Sequence, residues 1–82
     1  MNKICYQPKA AKQLLKIPER KSIRDKIALL AEMPDCEGVK KLTNHKYQYR
    51  LRVGRYRVFF NFDGHIQIVS IEEVKIRNES TY

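Results

Sequence analysis

The sequence is poor in the residues that most metal, redox and hydrolytic chemistry requires. Of its 82 residues only 2 are cysteine, 2 histidine and 3 glycine. Cys5 and Cys36 have neither a C-x-x-C spacing nor partner histidines, which excludes a zinc site and a disulfide framework and leaves two reduced thiols. Paired carboxylates with glycosidase logic, a Ser-His-Asp signature and a Gly-rich phosphate loop are missing as well. His45 precedes a basic stretch and His65 follows an Asp-Gly turn, so acid–base ribonuclease chemistry run by two histidines finds no support. No metal and no small-molecule cofactor is expected. No apolar run approaches a membrane span, and Met1 to Tyr6 does not read as a signal peptide, so the expectation is a cytoplasmic protein with no membrane partner.

Acid is also missing where base accumulates. The chain carries 17 Lys and Arg against 9 Asp and Glu, a net charge of +8. Between Gly38 and Phe62 lie Lys40, Lys41, Lys46, Arg50, Arg52, Arg55 and Arg57, with no Asp or Glu among them. The first half, by contrast, mixes signs. A basic field concentrated in one stretch points to a polyanion or an acidic protein partner.

What is present fits one small domain spanning residues 1–82, since a chain of this size buries only about 60–65% of its unfolded surface and forms one core. Lys3 to Gln7 is β-prone and ends at Pro8, a residue suited to a first helical turn. Ala10, Ala11, Leu14 and Leu15 recur at helical spacing until Pro18. Ile23, Ile27, Leu30 and Ala31 predict a second helix from about Glu19 to Met33, antiparallel to the first and ended by Pro34. Pro34 to Asn44 reads as a turn-rich connector. From Tyr47 to Val53 the pattern alternates, with Tyr47, Tyr49, Leu51 and Val53 on one face and Gln48, Arg50 and Arg52 on the other. Two more strands follow, Arg55 to Phe62 and His65 to about Glu72, joined at Asp63-Gly64. The fold class is therefore α+β, β-α-α-β-β-β, with a small antiparallel sheet packed on two N-terminal helices.

Two-residue turns at Val53-Gly54 and Asp63-Gly64 would set Arg52 against Arg55, Arg50 against Arg57, Val58 against Val69 and Tyr56 against Ile71. Tyr49, Leu51, Tyr56, Val58, Val69 and Ile71 then share the face the helices cover, and Arg50, Arg52, Arg55 and Arg57 share the other. Like charges directly opposed on a sheet repel. At a separation of about 6 Å the penalty runs from about 0.7 kcal/mol in water to about 3 kcal/mol at an effective dielectric near 20. A face carrying charge for solubility alone would alternate Arg with Glu or Thr at less cost. Clustered guanidiniums suit phosphate, which arginine binds through two parallel hydrogen bonds.

The element order, the Tyr47-x-x-Arg50-Leu51-Arg52 strand, the Tyr56-Arg57-Val58-Phe59 strand and the Lys75-x-Arg77-x-x-x-x-Tyr82 tail together resemble the RelE/ParE superfamily of bacterial toxin–antitoxin toxins, RelE-like branch. The resemblance implies a ribosome-dependent endoribonuclease (an mRNA interferase). Such toxins enter the 30S A site, promote attack of the messenger's own 2′-hydroxyl on the adjacent phosphate, and so inhibit translation. It implies that Arg57 stabilises the charged transition state, that Arg50 holds the phosphate or helps activate the nucleophile, and that Tyr82 stacks on or orients a base. Arg77, with Lys75 as its substitute, corresponds to the tail cation. The remaining candidate RNA contacts are Lys40, Lys41, Lys46, Gln48, Arg52 and Arg55. Gln48 stands where relatives carry a lysine, and aligning on Tyr82 puts Ile76 at the tail arginine position of one well-known member. The implied partners are the ribosome with its mRNA and an acidic antitoxin encoded by a neighbouring gene. The competing readings are a ParE-like inhibitor of DNA gyrase without nuclease activity, and a toxin-fold protein that binds antitoxin or RNA without cutting.

Overall fold

The computed structural model describes residues 1–76. Strand β1 (Lys3–Tyr6) leads directly into α1 (Pro8–Leu15), where Pro8 occupies the first turn and forfeits no helical hydrogen bond. Pro18 separates α1 from α2 (Arg20–Ala28). Ala10 and Leu14 from α1, and Ile23 and Ile27 from α2, are wholly buried, four residues apart as a one-sided helix requires. Helix α2 is shorter than its apolar stripe foretold and tightens into a 3₁₀ turn, Leu29–Glu32. Pro34 disfavours helical geometry at Met33, which is extended at φ −52°, ψ 141°. Asn2, just ahead of β1, closes this end: its backbone N–H donates to Ala31 O (2.9 Å) and its side-chain amide to Met33 O (3.0 Å).

Strands β2 (Val39–Lys41), β3 (Tyr49–Val53), β4 (Tyr56–Asp63) and β5 (Ile68–Ile76) join β1 in a five-stranded sheet of order β1-β5-β4-β3-β2. The α+β class and the helices-on-sheet arrangement are as the sequence indicates. The sheet is mixed, however, because β1 runs parallel to β5, and the presumed connector contains β2, paired antiparallel to β3. One face of the sheet packs on the helices, with Val58, Phe60, Val69 and Ile71 fully buried against Leu14, Ile23, Ile27 and Leu30. The other face carries no helix among the described residues.

The register differs from the expected one in three places. The β3–β4 turn is Gly54-Arg55, which pairs Val53 with Tyr56, Leu51 with Val58, Arg52 with Arg57 and Arg50 with Phe59. Gly54 has φ +56°, a conformation that a tight hairpin needs at its first central position and that β-branched Val53 could not supply. The β4–β5 turn is longer than Asp63-Gly64. The Asp63 carboxylate accepts from the N–H groups of His65 (2.9 Å) and Ile66 (3.3 Å), Gln67 takes φ 55°, and Asp63 pairs with Ile68. Finally, Phe60 pairs with Ile71 but Phe59 with Glu73, leaving Glu72 as a bulge. The first two changes displace the pairing by an even number of positions, so the expected core set keeps its face. The bulge is different: it turns Val74 into the core and Glu73 and Lys75 onto the open face.

A Gly54→Ala substitution meets no atom within 4 Å, so its cost is backbone strain alone. Chemical denaturation should show a loss of about 1–2 kcal/mol for Gly54→Ala and a smaller loss for Gly54→Asn, which tolerates positive φ. Equal stability of all three proteins would contradict the turn described.

Candidate functional site

The pairing register builds the open face as rows of side chains running across the strands. One row is Arg52, Arg57 and Lys75, taken from β3, β4 and β5 in turn. The adjacent row is Lys40, Arg50, Phe59 and Glu73, from β2 to β5. Arg57 thus has a cation directly opposite it on both sides. Arg50 and Arg57 are half-buried, whereas Arg52, Lys75 and Lys40 are exposed. The Arg50 Nε–H is buried and has no hydrogen-bond acceptor among the described residues.

The counter-charge within these rows is Glu73, only 7% exposed. Its Oε1 accepts from the Tyr47 hydroxyl (3.2 Å) and lies 3.4 Å from Lys9 Nζ, which reaches over from α1. Its Oε2 lies 3.5 Å from Lys75 Nζ. Burial alone pushes this carboxyl up. The charge of Lys75, the hydrogen bonds from Lys9 and Tyr47 and the charge of Lys9 outweigh that and hold it below the usual glutamate value. Nearby, the Gln13 side chain accepts from Val74 N–H (2.7 Å), sealing the stretch of β5 beyond its pairing with β1.

A loop between β2 and β3 lies over the same rows. Asn44 takes positive φ (52°), a conformation asparagine tolerates, and His45 follows it. The His45 ring stacks on Phe59, with centroids 5.1 Å apart and planes 13° from parallel. Tyr47 tilts against both rings at 5.9 Å, and its N–H donates to His45 Nδ1 (3.0 Å). Tyr47 therefore leaves the core face assigned to it, because regular pairing begins only at Tyr49 and the alternation does not extend back.

The site residues expected from the sequence separate accordingly. Arg50, Arg52, Arg57, Lys75 and Lys40 come together. Arg55 does not join them. It sits in the β3–β4 turn, pairs with Glu19 at the start of α2 (3.1 Å) and lies over the Tyr56 ring, whose hydroxyl donates to the same carboxylate (3.2 Å). Lys41 pairs with Tyr49, so its register position belongs to the opposite face. Lys46 is exposed with its ammonium 5.4 Å over the Tyr47 ring. Gln48 braces the sheet: its Oε1 accepts from Phe62 N–H (2.8 Å), and its own N–H donates to Asn61 Oδ1 (2.9 Å). Arg77 and Tyr82 lie outside the described residues. Sequence reasoning missed Glu73, Phe59 and the His45 loop. A signal for Glu73 was present: in Ile71-Glu72-Glu73-Val74 the apolar positions stand three apart instead of two, as a bulge produces. Both cysteines are free, and burial with the nearby Glu32 and Asp35 charges raises the Cys36 thiol above its ordinary value, against thiolate chemistry. Among the described residues no group of His, Cys, Asp or Glu gathers to hold a metal, and no helix is long and apolar enough to cross a membrane.

Several solved structures share this architecture. RelE in the archaeal RelE–RelB complex from Pyrococcus horikoshii OT3 superposes with a TM-score of 0.80 at 21% identity, covering 95% of this chain and 97% of that one. The isolated E. coli RelE toxin gives 0.78 at 20% identity over 99% and 92%. The RelB–RelE complex from Methanococcus jannaschii gives 0.72 at 24% over 95% and 94%. No curated protein sequence matches the chain. Fold and family together define the class, a RelE/ParE-superfamily toxin of a toxin–antitoxin system. Within that class the chain belongs to the ParE toxin family of type II toxin–antitoxin systems (parDE), whose model matches residues 4–80.

Because the folded-state value of Glu73 lies below its unfolded one, its ionised form stabilises the fold above the unfolded value. That contribution disappears as pH falls through the folded value. Stability measured from pH 7 downward should fall less steeply in Glu73→Gln than in the wild type. Parallel acid limbs would contradict the assignment.

Proposed function

We propose that the protein is a ribosome-dependent endoribonuclease that cuts mRNA in the A site, and that the Arg52–Arg57–Lys75 row receives the scissile phosphate. The observation that carries the proposal is that row. Register sets Arg52, Arg57 and Lys75 side by side on the face away from the helices, and neighbouring cations of this kind suit a phosphate, which arginine binds through two parallel hydrogen bonds.

The chemistry suits a site of fixed cations. The 2′-hydroxyl of the messenger gives up its proton to solvent as its oxygen bonds to the adjacent phosphorus and the bond from phosphorus to the 5′-oxygen breaks. This leaves a cyclic phosphate and, once the departing oxygen is protonated, a 5′-hydroxyl. Negative charge builds on the phosphoryl oxygens during this step. Arg57, flanked and half-buried, is the group best fixed to meet it, and Arg50 and Arg52 hold the strand. Arginine keeps its proton at any working pH, whereas the Lys75 ammonium can donate one to the departing oxygen. Electrostatic stabilisation of this kind is commonly the largest catalytic term, and in-line positioning of the 2′-hydroxyl, supplied in part by the ribosome, adds to it. Arg77 and Tyr82 complete the proposed site, with Tyr82 orienting a base. An acidic antitoxin is the natural partner for a face of this charge, and the similar toxins from P. horikoshii and M. jannaschii were solved as complexes with RelB.

A second reading has its own support: the matching family model is that of the ParE toxin, which points to inhibition of DNA gyrase without RNA cleavage. Toe-printing of a translated mRNA with purified protein separates the two. The nuclease reading expects cuts only when ribosomes are present, and on the order of 10²–10³-fold slower cutting by Arg57→Ala with its fold intact. Inhibition of supercoiling without any cut would favour gyrase, and equal cutting of naked RNA would contradict ribosome dependence.

A further inference from the structure

The His45–Phe59 stack has a feature that loop closure alone does not require. One side of the imidazole lies on Phe59, and the residue is nonetheless exposed. Phe59 is 7% exposed and sits on the open, charged face of the sheet, outside the main apolar core, with Arg50 opposite it on one side and Glu73 on the other. An apolar residue in that place gains burial because His45 and Tyr47 cover it. The covering ring in turn is held flat by its planar contact below and by the Tyr47 N–H that bonds Nδ1. The result is an aromatic surface held by a ring stack and a hydrogen bond. Arg57 lies two residues from Phe59 on the same strand and face, about 7 Å away along the strand. That is a separation over which one nucleotide can carry its base and its phosphate.

We propose that the outer face of the His45 ring is a nucleobase-stacking subsite, seating the base of a nucleotide whose phosphate rests on the Arg52–Arg57–Lys75 row. Stacking of this kind tolerates any base, because every base has a π-face. The subsite rests on the RNA reading given above. It adds a contact contributed by the β2–β3 loop, separate from the proposed tail tyrosine. Lys46, next in sequence and exposed, holds its ammonium over the Tyr47 ring beside this surface.

The test is binding of the full-length toxin, free of any partner, to a short single-stranded 2′-O-methyl RNA that cannot be cut and carries one 2-aminopurine. Affinity is read by anisotropy and stacking by fluorescence quenching. His45→Asn keeps an acceptor for the Tyr47 N–H but removes the ring, and His45→Phe keeps a ring but removes the acceptor; thermal melts confirm that both fold. The expected result is quenching by the wild type, its loss with about tenfold weaker binding in His45→Asn, and near-wild-type behaviour of His45→Phe. An oligonucleotide abasic at the probe position should bind wild type and His45→Asn alike. Wild-type affinity and quenching in His45→Asn would overturn the subsite while leaving RNA binding intact. Failure of the wild type to bind the oligonucleotide at low salt would instead sink the RNA reading and the subsite with it.

Discussion

The Glu73 carboxylate, drawn between Lys9, Lys75 and Tyr47, is the interaction on which the arrangement of the open face depends. A sheet that carries Arg52, Arg57 and Lys75 in one row and Lys40 and Arg50 in the next is pushed apart by its own charge. A buried anion at the end of the second row offsets part of that repulsion. It also fixes positions. The Lys75 side chain is held beside it on the same strand, α1 is tied through Lys9, and the β2–β3 loop is held through the Tyr47 hydroxyl. Glu73 is the buried member while both lysines keep more than half of their side chains exposed, so loss of a partner is felt mainly at the carboxylate.

Glu73 reaches that place because of the bulge at Glu72. With unbroken pairing, Glu73 would share the face of Ile71 among the core side chains, and Val74 would point to solvent. One additional residue in β5 reverses both. The bulge therefore serves the core, which gains Val74, and the open face, which gains Glu73 and Lys75 together. On the other side of the sheet, Arg55 and Tyr56 both bond Glu19, fastening the β3–β4 turn to the start of α2. The hairpin that presents Arg52 and Arg57 is thus anchored from behind by a cation that had been expected on its front.

The apolar periodicities made the two helices, the helix-facing side of the sheet and the segregation of Arg50, Arg52 and Arg57 legible in advance. They survived two misread turns because both errors displaced the pairing by an even number of residues. The partners themselves were not legible. Whether Arg57 faces Arg50 or Arg52 depends on which residue takes positive φ, and Gly54 decides it through backbone sterics, not hydrophobicity. Strand β2 was hidden because only Val39 of its three residues is part-buried, which leaves no alternation to detect. The loop carrying His45 and Tyr47 was opaque for a related reason: its side chains pack on Phe59, which alternation along β4 puts on the Arg57 face, and no periodicity announces a cover there.

The central claim is that the Arg52–Arg57–Lys75 row contacts the phosphates of a nucleic-acid strand. The most direct measurement is the salt dependence of binding to single-stranded RNA. Each phosphate neutralised on a single strand contributes about −0.7 to the slope of log affinity against log salt. Neutralising Arg52 and Arg57 together with Ala or Gln should make the slope shallower by about 1.4, while the same change at Arg55, which is held by Glu19, should leave it nearly unaltered. An unchanged slope in the double variant, with the fold intact, would contradict the account.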